Sequence, residues 1–212
     1  MNKVLDGYIN KFVVVYIDDI MIYSKTFEEH IEHLEKVFQR LVEANLMVKF
    51  KKCKFCLQNI EFLGHIVGRD GLQVDPKKVE KMKKLPAPKN LKEVRGIMGL
   101  LGYYRKFVPN FSKIAKPINQ LLKKEEEFKW MNKQQEALNI LKKKMIEAPI
   151  LGYPDNTKEY ILMTDASGKG LGAVLSQKDK QNREVVIAYA SKSLNKAEQN
   201  YSITEQECLA IY

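Results

Sequence analysis

Cysteine is scarce in this chain. Its three copies, Cys53, Cys56 and Cys208, are too few and too scattered for a disulfide framework. A reducing compartment is implied rather than secretion. No signal-peptide pattern opens the sequence, and no low-complexity tract or internal repeat runs through it. The one long apolar run, Phe12–Tyr23, is cut at its centre by two aspartates, which excludes a membrane span there. Acidic residues are also in deficit: 36 Lys and Arg face 26 Asp and Glu, for a net charge of +10 and a pI near 9.3. That balance calls for an anionic partner, nucleic acid first, although a lysine-rich surface held in solvent gives the same count. With 212 residues, 45% of them hydrophobic, the chain can bury a sizeable core in one or two domains.

What is present begins with that apolar run, Phe-Val-Val-Val-Tyr-Ile-Asp-Asp-Ile-Met-Ile-Tyr. Its β-branched and aromatic residues favour strands. Burying two adjacent carboxylates, Asp18 and Asp19, inside it would be costly. The conflict is resolved if the pair sits on a tight turn between two strands and a cation neutralises it. Such a tip is what a two-metal phosphoryl-transfer site needs. An Asp-Asp turn in an ordinary hairpin is the bland alternative.

Farther along, residues Phe27–Asn45 read as an amphipathic helix with Ile31, Leu34, Phe38 and Leu41 on one face. Leu46–Leu57, carrying Lys49, Lys51, Lys52 and Lys54, reads as a strand. Glu61–Val67 reads as another, returning through Gly68-Arg69-Asp70-Gly71 to Leu72–Val74. Asp75-Pro76 signals a helix start, and so does the capping box Asn90-Leu91-Lys92-Glu93. Gly96, Gly99 and Gly102 recur every third residue in the latter helix, which predicts a close approach of backbone to something. Pro117 either interrupts a helix or opens a new one, and Asn132 is expected to cap a last helix running to about Glu147. From Lys77 to Glu147 there are 19 Lys and Arg against 7 Asp and Glu, a net of +12, so this helical block carries the chain's whole basic excess. It reads as a clamp on a phosphate backbone. Ala148-Pro149 and Tyr153-Pro154 mark a linker. A strand Glu159–Thr164 then leads to Asp165-Ala166-Ser167, and glycines 168, 170 and 172 form a turn into Ala173–Gln177. A third strand, Glu184–Ala190, precedes the capping box Ser202-Ile203-Thr204-Glu205 and a final helix.

Some patterns compete. His30-x-x-His33 with Cys53-x-x-Cys56 imitates a zinc site, but one pair lies on a helix and the other on or near a strand. His65 reads as a strand residue rather than a catalyst. Gly168-x-Gly170-x-Gly172 joins two strands instead of opening a helix, so it is a poor phosphate cradle. Phe128, Trp130 and Tyr153 offer stacking surfaces, with packing on the last basic helix the alternative.

Taken in order, Tyr16-Ile17-Asp18-Asp19, Phe62-Leu63-Gly64-His65, Asp75-Pro76-Lys77-Lys78, Tyr103-Tyr104-Arg105, Phe128-Lys129-Trp130, Thr164-Asp165-Ala166-Ser167 through Gly170–Leu175, and Glu207-Cys208-Leu209-Ala210-Ile211 span the chain. In these the sequence resembles the reverse transcriptase and ribonuclease H part of the Pol polyprotein of gypsy-type long-terminal-repeat retrotransposons. The resemblance implies an α+β fold. It would comprise a reverse transcriptase palm portion over residues 1–75, a basic helical thumb over 76–147, a linker over 148–158 and part of a ribonuclease H-like α/β domain over 159–212. It implies that Asp18 and Asp19 hold Mg²⁺, or Mn²⁺, during nucleotide addition, and that Asp165 and Glu207 do so for RNA cleavage. Glu205, a rival to Glu207, already has a capping role. Phe62, Leu63 and Gly64 would steady the primer terminus. Tyr103, Tyr104 and Arg105 would contact template or pack in the core. Implied partners are primer–template, RNA–DNA hybrid, dNTP and the rest of a Pol polyprotein, with no membrane. The resemblance also places a third polymerase aspartate and the fingers before Met1, and further ribonuclease H aspartates after Tyr212. These residues alone are therefore expected to be inert. A relic that at most binds nucleic acid is the alternative.

Overall fold

A computed structural model describes residues 1–123 and 127–212. The chain forms two compact units, Met1–Phe62 and Leu63–Tyr212. Among the described residues no helix is long and apolar enough to cross a membrane.

The first unit is built on an antiparallel hairpin of β1 (Val13–Tyr16) and β2 (Asp19–Ile22), in register from Val13↔Ile22 to Tyr16↔Asp19. Alternation sends Val13, Val15, Ile20 and Ile22 to one face. There they meet Leu5, Val37 and Leu41, with Tyr8, Phe12 and Phe38 around them. Val37 and Leu41 come from helix α1 (Phe27–Glu43), which starts where Thr26 Oγ1 accepts from Glu29 N at 3.2 Å. Ile31, assigned to the apolar face by spacing, is instead 48% exposed. The expected strand Leu46–Leu57 does not form. A 3-10 turn at Phe50–Lys52 and left-handed backbone at Asn45 and Cys56 break it, and the next strand is β3 (Asn59–Phe62). Alternating character makes a strand only when one face has something to cover. Here Phe50 and Phe55 gather against Phe38 of α1, with all three ring pairs 6.2–6.4 Å apart.

In the second unit, β4 (His65–Gly68) and β5 (Gly71–Val74) pair antiparallel. The expected strand Glu61–Val67 is divided at Leu63 and Gly64, whose φ values of 50° and 72° lie outside the extended region. Asp75, 1% exposed, caps α2 (Pro76–Lys83) by accepting from Lys77 N at 2.8 Å. Asn90 caps α3 (Leu91–Tyr103), with Glu93 N donating to its Oδ1 at 2.9 Å. Pro117 stands inside α4 (Phe111–Gln120), so it interrupts one helix rather than opening another. The next helix, α5 (Asn132–Ile146), is capped one residue earlier than expected. Met131 is the N-cap, and buried Gln134 accepts from its backbone N at 3.2 Å. Val94, Ile97, Leu101, Phe107, Ile118, Leu138, Leu141 and Leu151 are the centre of the core.

Strands β6 (Ile161–Ser167), β7 (Gly170–Lys178) and β8 (Glu184–Ser193) form an antiparallel sheet, with α6 (Ile203–Ile211) against β6 and β7. β6 runs through Ser167, so Asp165 lies within the strand opposite Gly172 rather than beyond its end. Gly170 and Gly172 are strand residues too. Ser167 pairs with Gly170, leaving only residues 168 and 169 for the turn.

The basic helices and this sheet share one unit. Ser112 N donates to Ser191 Oγ at 2.9 Å, and the Arg105 guanidinium donates to Ser191 O. Residues 148–158, read above as a linker, are anchored at several points. Leu151, fully buried, exchanges backbone hydrogen bonds with Leu72 at 2.8 and 2.9 Å, and Gly152 N donates to Val186 O at 2.8 Å. The Tyr153 hydroxyl lies 3.0 Å from Gly68 N, Gly68 O and Gly71 O.

Candidate functional site

The pairing Tyr16↔Asp19 leaves only Ile17 and Asp18 to turn the first hairpin. Ile17 takes φ +55°, a conformation that β-branched residues avoid at a cost of about 1–3 kcal/mol. Glycine would make this turn without strain. The strain sets two carboxylates side by side at the tip. The face opposite the core carries Val14, Tyr16, Asp19 and Met21. Asp18 and Asp19 are both exposed. Among the described residues neither has a hydrogen-bond or ion-pair partner, so both are available to a ligand.

In the second unit, the turn at Leu63 and Gly64 is pinned by the end of α3. The Tyr103 hydroxyl donates to Leu63 O at 2.6 Å, and the Tyr104 hydroxyl to Gly64 O at 2.7 Å. A Cβ on Gly64 would come within 2.9 Å of the Tyr104 hydroxyl. His65 Nδ1 lies 3.0 Å from Leu63 O, which can only accept, so Nδ1 carries the proton. Among the described residues, Nε2 is then a buried acceptor with no donor. Burial, and after it the nearby Lys106 ammonium, holds the imidazole below its ordinary pKa, against the opposing pull of the Leu63 bond. Tyr104 is buried, Tyr103 is 52% exposed, and Arg105 is turned toward β8 with Phe111 5.9 Å beneath its guanidinium. Phe62, at the end of β3, is half-buried.

The three α3 glycines correct one expectation. A Cβ on Gly96, Gly99 or Gly102 would meet nothing within 4 Å among the described residues. Val94, Ile97 and Leu101 take the buried side of α3. Lys92, Gly96, Gly99 and Tyr103, at i, i+4, i+7 and i+11, take the opposite side, with Arg95 beside them. The bare backbone is open to an outside ligand between cationic side chains. The every-third-residue spacing signalled this surface, but its direction was invisible before the buried side was known.

Asp165 is exposed on β6, and Glu207 is half-buried on α6. Neither has a partner among the described residues. Glu205 is engaged: its Oε2 accepts from Ser202 N and Ser202 Oγ at 2.8 Å each, and both bonds hold its carboxyl below the usual range. Among the described residues no three His, Cys, Asp or Glu side chains converge as a metal cluster. The histidine pair serves another end, since His30 and His33 place Nδ1 at 3.2 and 2.7 Å from Ser24 Oγ.

Comparison with known proteins places two stretches of the chain in families. Residues 1–67 match the family model of reverse transcriptase (RNA-dependent DNA polymerase). Residues 130–212 match that of the RNase H-like domain found in reverse transcriptase. The two matched stretches thus follow the order of a reverse transcriptase region and an RNase H-like region. Over its whole length the chain is similar to retrovirus-related Pol polyproteins of transposons. It is 43% identical over 212 residues to the retrovirus-related Pol polyprotein from transposon 297 of Drosophila melanogaster, covering all of this chain and 20% of that protein. It is 37% identical over 211 residues to the transposon Tf2-3 polyprotein of Schizosaccharomyces pombe, covering 100% of this chain and 16% of that one. The chain thus spans a fifth or less of these relatives. Among solved structures, foamy viral protease–reverse transcriptase in complex with RNA/DNA hybrid matches with a TM-score of 0.86 at 29% identity, over 99% of this chain and 28% of that one. The same enzyme in complex with double-stranded DNA matches at 0.85 and 29%, over 99% and 44%.

Proposed function

We propose that this chain contributes two polymerase carboxylates, Asp18 and Asp19, and two ribonuclease H carboxylates, Asp165 and Glu207, to a Pol enzyme acting on primer–template and RNA–DNA hybrid. The observation that carries the reading is the Asp18–Asp19 pair, unpartnered and set at the tip of a strained two-residue turn. Magnesium is commonly held by one or two carboxylates together with substrate phosphates, and this donor set fits it, with Mn²⁺ a substitute. When bound, such an ion activates a hydroxyl and offsets the charge of the transferring phosphate. The hairpin's part is to fix the two carboxylates, because the β1–β2 ladder anchors both sides of the tip and leaves them no competing partner. Asp165 and Glu207 stand on contacting elements and would serve RNA cleavage in the same way.

Nucleic acid would lie along the open face of α3, where Lys92 and Arg95 meet phosphates and Tyr103 supplies an exposed ring. Leu63 and Gly64, pinned by the two tyrosines, and Phe62 would steady the primer end. Tyr104 and Arg105 act here through packing. The domain limits that accompany this reading are palm over 1–75, thumb over 76–147 and RNase H-like from 159. dNTP is the second substrate, and the rest of a Pol polyprotein the covalent partner, in an intracellular setting.

The test is a pair of assays on a Pol protein carrying this stretch. Asp18→Asn and Asp19→Asn are expected to cut primer extension by more than the roughly 10–100-fold that loss of an outer partner costs, while sparing hybrid cleavage. Asp165→Asn and Glu207→Gln are expected to do the reverse. Extension that survives Asp18→Asn overturns the polymerase assignment.

A further inference from the structure

Residues 46–57 of the first unit take no part in the reading above, yet they form the most unusual surface of that unit. The stretch contains Lys49, Lys51, Lys52 and Lys54 and no acidic residue. All four lysines are exposed or half-exposed, and none has an ion-pair partner among the described residues. Between them Phe50 is 68% exposed and Phe55 40%, with Met47 and Leu57 open beside them. The two rings are 6.4 Å apart, tilted by 34°, and each stands 6.2 Å from Phe38 of α1. Cys53 Sγ bonds Lys49 O at 3.5 Å, and the 3-10 turn bonds Lys52 N to Lys49 O at 2.8 Å, so the loop has a defined shape. The rings are thus held at their inner edge while much of their surface faces solvent.

We propose that this loop is a second nucleic-acid contact, one that takes single-stranded RNA or DNA. Bases would stack on Phe50 and Phe55, with the phosphates between them lying among the four lysines. The inference rests on the reading of the chain as a nucleic-acid enzyme and adds a site to it. Charge decides the occupant. Aromatic residues alone would fit a protein partner equally well, but lysine is depleted from protein–protein interfaces, and clustered lysine with exposed aromatics is the composition of single-strand grooves. A duplex offers its bases only edge-on and gives no purchase to the rings, so the site discriminates in favour of unpaired strand.

Fluorescence anisotropy on the 212-residue chain tests this, with an unstructured oligonucleotide of about 12 nucleotides and an RNA–DNA hybrid. The double variant Phe50→Leu, Phe55→Leu keeps the apolar packing on Phe38 and removes the stacking. It is expected to bind the single strand at least ~5-fold more weakly, with hybrid affinity unchanged and the circular dichroism spectrum of the parent. Phe50→Tyr, Phe55→Tyr is expected to restore binding. Replacing Lys51 and Lys52 by glutamine should lower the salt slope of single-strand binding by about 0.7 for each phosphate no longer neutralised. Equal single-strand affinity in parent and leucine variant, with hybrid still bound, overturns this proposal alone. A leucine variant that instead shifts a dimer to monomer in sedimentation overturns it in favour of an interface between copies. A parent that binds neither nucleic acid overturns the broader reading as well.

Discussion

His65 sits where a ring, a hydrogen bond and a missing partner meet. Its Nδ1–H is used by Leu63 O, its ring is packed among Tyr103, Tyr104 and Phe107 at 5.3–5.7 Å, and its Nε2 is buried without a donor. Protonation would place a charged N–H in that buried position. The folded pKa is lowered, so the unfolded chain binds the proton more readily. The neutral form's contribution is complete above the unfolded value of about 6.5 and declines as pH falls below it. The melting midpoint should therefore drop between pH 7.5 and pH 5. His65→Phe, which packs a ring with no site for the proton, should show a smaller drop. Equal drops measured by calorimetry would assign the pH dependence to other groups. The sequence placed this residue on a strand. It could not show the orphaned nitrogen, which exists only because α3 returns to the turn some forty residues later in the chain.

Two glycines show how elements are joined and how they are left apart. Gly71 takes φ +130°, and a Cβ there would overlap the Leu151 carbonyl, because β5 and the segment after α5 are hydrogen-bonded at that point. Gly99, on the outer side of α3, would meet nothing. Gly71→Ala should cost roughly 2–4 kcal/mol. Gly99→Ala should raise stability by about 0.5–1 kcal/mol through helix propensity while weakening hybrid binding, because a methyl group would intrude on the face assigned to nucleic acid. Thermal melts with hybrid titrations check both, and Gly99→Ala with undiminished hybrid affinity would remove α3 from the interface. Elements bounded by local chemistry were legible from sequence: Asp75, Asn90 and Ser202 each cap the helix expected of them, with the partner that spacing picks out. The hairpin turn beside Asp18 and Asp19 was legible because two carboxylates interrupt an apolar run. What failed depended on distant neighbours. The lysine-rich stretch before β3 alternates as a strand does but has no face to cover, and no local signal marks Leu151, between Pro149 and Pro154, as fully buried.

On the scale of the whole molecule, the two units differ in how much holds them. Leu5, Val13, Val37 and Leu41 are the buried apolar residues of the first, whereas the second has a continuous core from Val74 to Leu151 shared by helices and strands. Hydrogen exchange along a urea series should show residues 1–62 losing protection at lower denaturant than 63–212. One common midpoint would mean that the first unit does not open independently. The second unit should lose protection as a whole, since Ser191 joins β8 to the helical part and Tyr153 joins the segment before β6 to the β4–β5 hairpin. The backbone bonds between Leu72 and Leu151, with the Tyr153 hydroxyl beside them, have a further consequence in mechanical terms. A segment that would otherwise pay out like slack rope is belayed at its midpoint. Tension reaching the sheet from the helices would be taken up at that anchor before any length of chain was released.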